Sequence, residues 1–185
     1  MDIVDWISGI NLRIGGGIVM VNMDEKLKTS RILVVEDDPD MIGLMREALE
    51  DEGYTTYGAT NGTEGLKAIR EIRPDLVLLD LMMPGMSGLD VCHELEKDEE
   101  LKSTPIIVVS VRNETAIKIK CIMSCANRYV TKPFDVDHLK KEVWMTLRQK
   151  RLSEMVYDHY DKKGQRGDPG AFPEELKDAL DDSVS

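Results

Sequence analysis

From Arg31 onward the hydrophobic pattern changes period again and again. Ile32, Leu33, Val34 and Val35 make a short, largely β-branched apolar run that ends in the acidic cluster Glu36, Asp37 and Asp38. Pro39 then opens a helical pattern through Met41, Leu44, Met45, Ala48 and Leu49, which Gly53 closes. Residues 54–60 read as a strand, Asn61 and Gly62 as a turn, and Leu66, Ala68 and Ile69 mark a second helix. The alternation then repeats. Residues 75–80 are an apolar strand ending in Asp80, Pro84, Gly85 and Gly88 break the chain, 89–97 are helical, and 105–111 form another buried-type strand. A weaker helix over about 113–124 and a short strand over 128–132 precede a last helix that starts near Asp135.

Strands that are apolar on both sides cannot show one face to water, so this alternation predicts an α/β fold with a parallel sheet covered on both faces. In open sheets of this kind, working groups collect beyond the carboxyl ends of the strands, where strand order reverses. The polar residues stand at those ends: Glu36 and Asp37 after the first strand, Asp80 after the third, Ser110 at the end of the fourth and Lys132 after the fifth. The last helical pattern, through Leu139, Val143, Trp144, Leu147, Leu152, Met155 and Val156, outruns one domain face and predicts an extended C-terminal helix.

Length and composition narrow the picture. The 185 residues suit one domain, over 30–148, with an extension over 1–29 and an acidic tail over 149–185. The extension is apolar and glycine-rich but interrupted by Arg13 and Gly15 to Gly17, a poor signal peptide and a poor membrane span. It is expected to lack regular structure, or to precede a native start at Met20 or Met23. The tail is too short for a full output domain with its own core, so no built-in DNA-binding or enzymatic output is expected. With 35 acidic against 24 basic residues, a net of −11, no basic footprint for nucleic acid is expected either. Cys92, Cys121 and Cys125 have no metal-finger spacing. They read as reduced, mostly buried thiols in a reducing, cytoplasmic setting, with Cys121 and Cys125 sharing a helix face.

Three carboxylates at one sheet edge repel one another, and burying them uncompensated costs several kcal/mol each, on the order given for poorly paired buried ions. A hard divalent cation compensates them, and Mg²⁺ favours one or two carboxylates together with water and a phosphate oxygen. Lys132 supplies a second positive charge and Ser110 a hydroxyl donor. Asp80 is then the candidate nucleophile for a phosphoryl group, a reaction that depends on positioning and charge stabilisation.

The segments ILVVEDDPD, LVLLDLMMPGMSGLD and YVTKPF, in this order, resemble the receiver domain of two-component response regulators, over about Arg31 to Leu147. The resemblance implies a flavodoxin-like, doubly wound, five-stranded parallel sheet of order 2-1-3-4-5. It implies Mg²⁺ held by Glu36, Asp37, Asp80 and the backbone carbonyl of Met82, with Asp80 the phosphoacceptor assisted by Ser110 and Lys132. Pro133 matches the proline beside the lysine, and Tyr129 the aromatic that moves inward on phosphorylation. Asp38 falls just outside the acidic pair. The partners implied are a sensor histidine kinase or phosphotransfer protein and a downstream effector protein, with neither nucleic acid nor membrane bound directly. A homodimer contact through the helix over 113–124 or the last helix is left open.

Two positions depart from the family. Val111 stands where a very small side chain is usual after the hydroxyl residue, and Met82 offers no group to position an attacking water. Both point to slow phosphorylation and a long-lived phosphorylated state. The segment over 113–124 carries Ile117, Ile119, Ile122 and Met123 where the family has an alanine- and glycine-rich helix, which fits either core packing or a partner face. Two other functions compete with a phosphorylated signalling module. One is an interaction or dimerisation scaffold that keeps the fold without phosphorylation, against which the complete set Glu36, Asp37, Asp80, Ser110 and Lys132 argues. The other is an aspartate-nucleophile phosphatase, which places a second aspartate where this chain has Met82, so independent substrate turnover is not expected.

Overall fold

Short apolar segments become strands here because helices on both sides let each strand bury both of its faces. The computed structural model describes residues 9–14, 17–22, 27–111 and 125–162, and the side chains of 27–111 and 125–155. Its elements run β1 (Gly9–Ile14), β2 (Gly17–Asn22), β3 (Arg31–Val35), α1 (Pro39–Asp51), β4 (Thr55–Ala59), α2 (Gly62–Ile72), β5 (Leu76–Leu79), α3 (Gly88–Glu96), β6 (Ile106–Ser110), β7 (Arg128–Thr131) and α4 (Val136–Lys162). Strands β3 to β7 form one sheet of order β4-β3-β5-β6-β7. Every neighbouring pair is parallel. Counted within that sheet the order is 2-1-3-4-5, and it reverses between β3 and β5, the arrangement expected from the sequence.

Strand residues alternate between two core layers. Leu33, Val35, Val77, Leu79 and Val108 face Leu66 and Ile69 of α2 and Val91 and Leu95 of α3. Ile32, Val34, Leu76, Leu78, Ile107, Val109 and Val130 face Ile42, Met45 and Leu49 of α1 and Leu139, Val143 and Leu147 of α4. The period-two alternation therefore assigns each helix pair its own side of the sheet. One helical assignment changes: Leu44 is 45% exposed and Ile42 takes the core position. With 3.6 residues per turn, the stripe of α1 runs through 42, 45 and 49, and Leu44 falls beside it.

Helix starts are set by side chains. Asp38 accepts a hydrogen bond from the Asp40 N–H at 3.0 Å, and Pro39 occupies the first turn of α1. Asn61 caps α2 through the Glu64 N–H, and Ser87 and Asp90 make a reciprocal capping box on α3. Aspartate capping recurs at the last helix, where the Asp135 carboxylate accepts from the N–H groups of Asp137 and His138. Among the described residues no helix is long and apolar enough to cross a membrane.

The chain falls into two compact units, Met1–Arg148 and Gln149–Ser185. Helix α4 is 27 residues long, as the extended apolar pattern implies, and Leu152 in its later part is buried. The helix expected over 113–124, with Cys121 and its isoleucines, lies outside the described residues, as does the tail beyond Lys162.

Two expectations are overturned. Within the N-terminal extension, β1 and β2 pair antiparallel with Ile14 opposite Gly17, against the first of its two expected alternatives, a segment without regular structure, and without bearing on the second, a native start at Met20 or Met23. The signal is present in the alternation of Ile10, Leu12 and Ile14, followed by Gly15 and Gly16, residue types favoured in two-residue hairpin connections. The cysteines are not all free thiols either: Cys92 and Cys125 form a disulfide with their Cα atoms 5.8 Å apart. The fold brings α3 against the segment that enters β7, which places two residues 33 apart in sequence within bridging range.

Helix α3 begins hard against the end of β5. A Cβ on Gly88 would stand 2.2 Å from the Asp80 carbonyl oxygen and 2.9 Å from Leu81 Cα, so the backbone must shift to admit any side chain. Gly88→Ala is expected to lower unfolding stability by about 2–3 kcal/mol, of the order of overpacking in a tight core, measured by urea denaturation. Asp38→Ala removes only a helix cap and is expected to cost about 1 kcal/mol in the same measurement.

Candidate phosphoacceptor site

Three backbone hydrogen bonds carry the strand ladders one residue past their formal ends. Glu36 N–H donates to Ala59 O at 3.1 Å, Asp80 N–H to Val35 O at 2.9 Å, and Lys132 N–H to Ser110 O at 2.9 Å. Because the strands are parallel and in register, these residues arrive together at one edge of the sheet. Glu36 and Asp80 are buried there, at 2% and 5% exposure, and Asp37 beside them is exposed. Ligand oxygens of Glu36, Asp37 and Asp80 all lie within 4.8 Å of one another.

Lys132 joins the two buried carboxylates. Its Nζ donates to Asp80 Oδ2 at 2.8 Å and also to Glu36 Oε2. The other oxygen of Asp80, Oδ1, accepts the Met82 N–H at 3.0 Å. Burial alone would push the Asp80 carboxyl up, but the Lys132 hydrogen bond, the Met82 N–H and the lysine charge together hold it below the usual carboxylate range. Glu36 goes the other way: burial raises it, the Asp80 charge adds to the rise, and the Lys132 and Asp38 contacts only partly offset this. Burial would lower the lysine, yet its bonds to Asp80 and Glu36 raise it, so it stays charged. The same lysine thus contacts two carboxyls that shift in opposite directions, Asp80 downward and Glu36 upward.

Ser110 is wholly buried at the end of β6, directly before the level of Lys132. Its hydroxyl is near enough to contribute to the lowering of Asp80, yet its Oγ meets hydrogen-bond geometry with no group among the described residues. A buried hydroxyl in that condition has a donor to give to an incoming oxygen. Met82 and Val111 flank the site at the surface, 47% and 61% exposed. Tyr129 lies half-buried on β7 and packs against the same core layer as Leu33 and Val108. The structure therefore gathers Glu36, Asp37, Asp80, Ser110 and Lys132, sets Met82 at their rim, places Tyr129 in the packing of the last strand, and assigns Asp38 to the cap of α1. The Lys132–Pro133 peptide bond is cis. The pair that sequence reasoning missed, Cys92 and Cys125, has no local signal, since its spacing matches no helix or strand period.

Comparison with known proteins agrees with this geometry. The family model described as the response regulator receiver domain matches residues 32–144. The DNA-binding response regulator MtrA of Mycolicibacterium smegmatis is 42% identical over 119 residues, which are 64% of this chain and 51% of the relative. The chain thus spans about half the length of the curated relatives it matches. Among solved structures, the receiver domain of Francisella response regulator 1452 aligns with a TM-score of 0.62 and 30% identity, covering 66% of this chain and 99% of that one. The response regulator TrrA of Thermotoga maritima, solved in complex with Mg²⁺ and BeF, aligns with a TM-score of 0.58 and 37% identity, covering 64% and 99%. With more than half its length matched by one family model, and with the fold and the acidic edge as described, this chain belongs to the response regulator receiver domain family.

Proposed function

We propose that Asp80 accepts a phosphoryl group from a phosphohistidine on a sensor histidine kinase or phosphotransfer protein, and that the modified domain changes its binding to a downstream effector protein. The observation that carries this reading is the Lys132 bridge: an ionised, buried aspartate at a sheet edge, held by a lysine, with two further carboxylates within 4.8 Å. The carboxylate oxygen bonds to phosphorus as the phosphorus–nitrogen bond of the donor breaks, and the electron pair remains with the imidazole.

Each residue has a role in that transfer. Asp80 is kept ionised, and therefore nucleophilic, by Lys132 and the Met82 N–H. Lys132 faces the charge that develops on the phosphoryl oxygens, and the Ser110 hydroxyl has a hydrogen bond to give. The excess negative charge of Glu36, Asp37 and Asp80 over one lysine fits a hard divalent cation such as Mg²⁺, with the Met82 carbonyl as a further oxygen ligand. When bound, such a cation supplies charge neutralisation to the transferring group. The Mg²⁺ and BeF present with TrrA support this assignment by likeness.

Incubation of the purified protein with Mg²⁺ and acetyl phosphate is expected to add one phosphoryl group by mass, and to add none in Asp80→Asn or when the divalent cation is chelated. Equal gain in the variant would refute Asp80 as acceptor, and no gain in a folded native chain would favour an unphosphorylated interaction scaffold. Val111, exposed, directly follows the buried Ser110 in the chain, and we infer that it narrows the approach to Asp80. Val111→Ala is expected to speed loss of the phosphoryl group about three- to tenfold, up to about 1.4 kcal/mol of barrier, followed by intact mass over time.

A further inference from the structure

Cys92 and Cys125 lie outside the phosphoacceptor edge, and nothing in the phosphoryl chemistry uses them. Cys92 sits within α3 at 1% exposure, in the core layer that also holds Leu95, Ile106 and Val108. Cys125 stands three residues before β7, half-buried, and packs on that layer together with Tyr129. Their bond ties α3 to the segment that enters the last strand of the sheet. A second fastening lies beside it: Asn127 N–H donates to Ile106 O at 2.8 Å, and Asn127 Oδ1 accepts the Ile106 N–H at 2.8 Å.

We propose that Cys92 and Cys125 are a reversible thiol–disulfide modification site that controls how firmly β7 is anchored to the rest of the sheet. The arrangement fits exchange with a small thiol on three counts. The two residues differ in exposure, Cys92 buried and Cys125 half-buried, so the Cys125 side is the expected point of attack for an external thiolate, with Cys92 as the departing sulfur. The Asn127 bonds hold the segment on β6 when the bond is open, which keeps the two thiols close enough to rejoin. The bond also acts on a strand of only four residues at the sheet edge, paired on one side only among the described residues, so one covalent tie is a large share of its restraint.

In the opening step a thiolate attacks Cys125 Sγ, the Cys92–Cys125 bond breaks, and Cys92 leaves as a thiolate that takes up a proton. A second thiol then attacks the mixed disulfide, freeing the Cys125 thiol and releasing the external disulfide. Two electrons pass from the pair of external thiols to the protein, and oxidation by a small disulfide such as oxidised glutathione reverses both steps.

The full chain, equilibrated in glutathione buffers of graded reduced-to-oxidised ratio, alkylated and mapped by peptide mass, tests this. The expected result is a Cys92–Cys125 link that opens and re-forms with the ratio, and hydrogen exchange over residues 126–131 that rises about threefold or more when it is open, the increase expected where a local restraint is lost. Cys125→Ala, and independently Cys92→Ala, are expected to show the faster exchange at every ratio. Three free thiols throughout, a link that glutathione cannot open, or pairing through Cys121 would each overturn the proposal. So would exchange over 126–131 that responds to the buffer equally in Cys125→Ala. None of these readouts involves phosphorylation, so they stand or fall separately from the role of Asp80.

Discussion

Two carboxylates, Glu36 and Asp80, are taken out of water side by side at the edge of this sheet, and a single ammonium group stands between them. Side-chain exposures of 3% and 6% for the acids and 10% for Lys132 leave water little part in screening the three charges. Uncompensated, such a pair would protonate or repel; with the lysine in place the aspartate remains ionised and the glutamate takes the upward shift. In the proposed transfer that division matters, because a protonated carboxyl is a far weaker nucleophile than a carboxylate. The lysine comes from a segment 52 residues after Asp80 and 96 after Glu36, so the interaction exists only in the assembled fold.

The rest of the architecture serves that meeting. Parallel strands in register deliver their last residues to the same level, and the two helical layers hold the strands there. Leu76 to Leu79 is buried along its whole length, with alternate side chains in the two core layers. Beyond it the chain turns so tightly into α3 that Gly88 lies against the Asp80 carbonyl. Asp80 is therefore fixed from both sides, by the β3 ladder and by the first turn of the following helix. The Met82 N–H that binds Asp80 belongs to the same tight turn.

Away from this centre the structure is held by weaker and more adjustable means. Most ion pairs on the helices, such as Lys67 with Glu71 and Arg46 with Glu50, are exposed and contribute little to stability. Met82 and Val111, close in sequence to Asp80 and Ser110, are exposed and carry no charge. The last strand pairs on one side only among the described residues, and the Cys92–Cys125 bond and the Asn127 hydrogen bonds lie just before it. Tyr129 lies in this same region, partly buried against the core layer that holds Leu33 and Val108.

Sequence by itself determined the elements, the fold class and the identity of the edge residues. Continuous apolar runs between helical stripes admit one economical arrangement, and Glu36, Asp37, Asp80, Ser110 and Lys132 fall at strand ends whatever the details of packing. It also carried the hairpin signal of residues 10–16, which the surrounding glycines disguise as an unstructured stretch. Tertiary structure alone decided which carboxyl is lowered and which is raised, because that depends on distances to one lysine and on exclusion of water. It decided that Asp38 caps a helix, that Leu44 faces outward while Ile42 faces in, and that Cys92 meets Cys125. Such facts arise from contacts between residues far apart in the chain, and no local period records them.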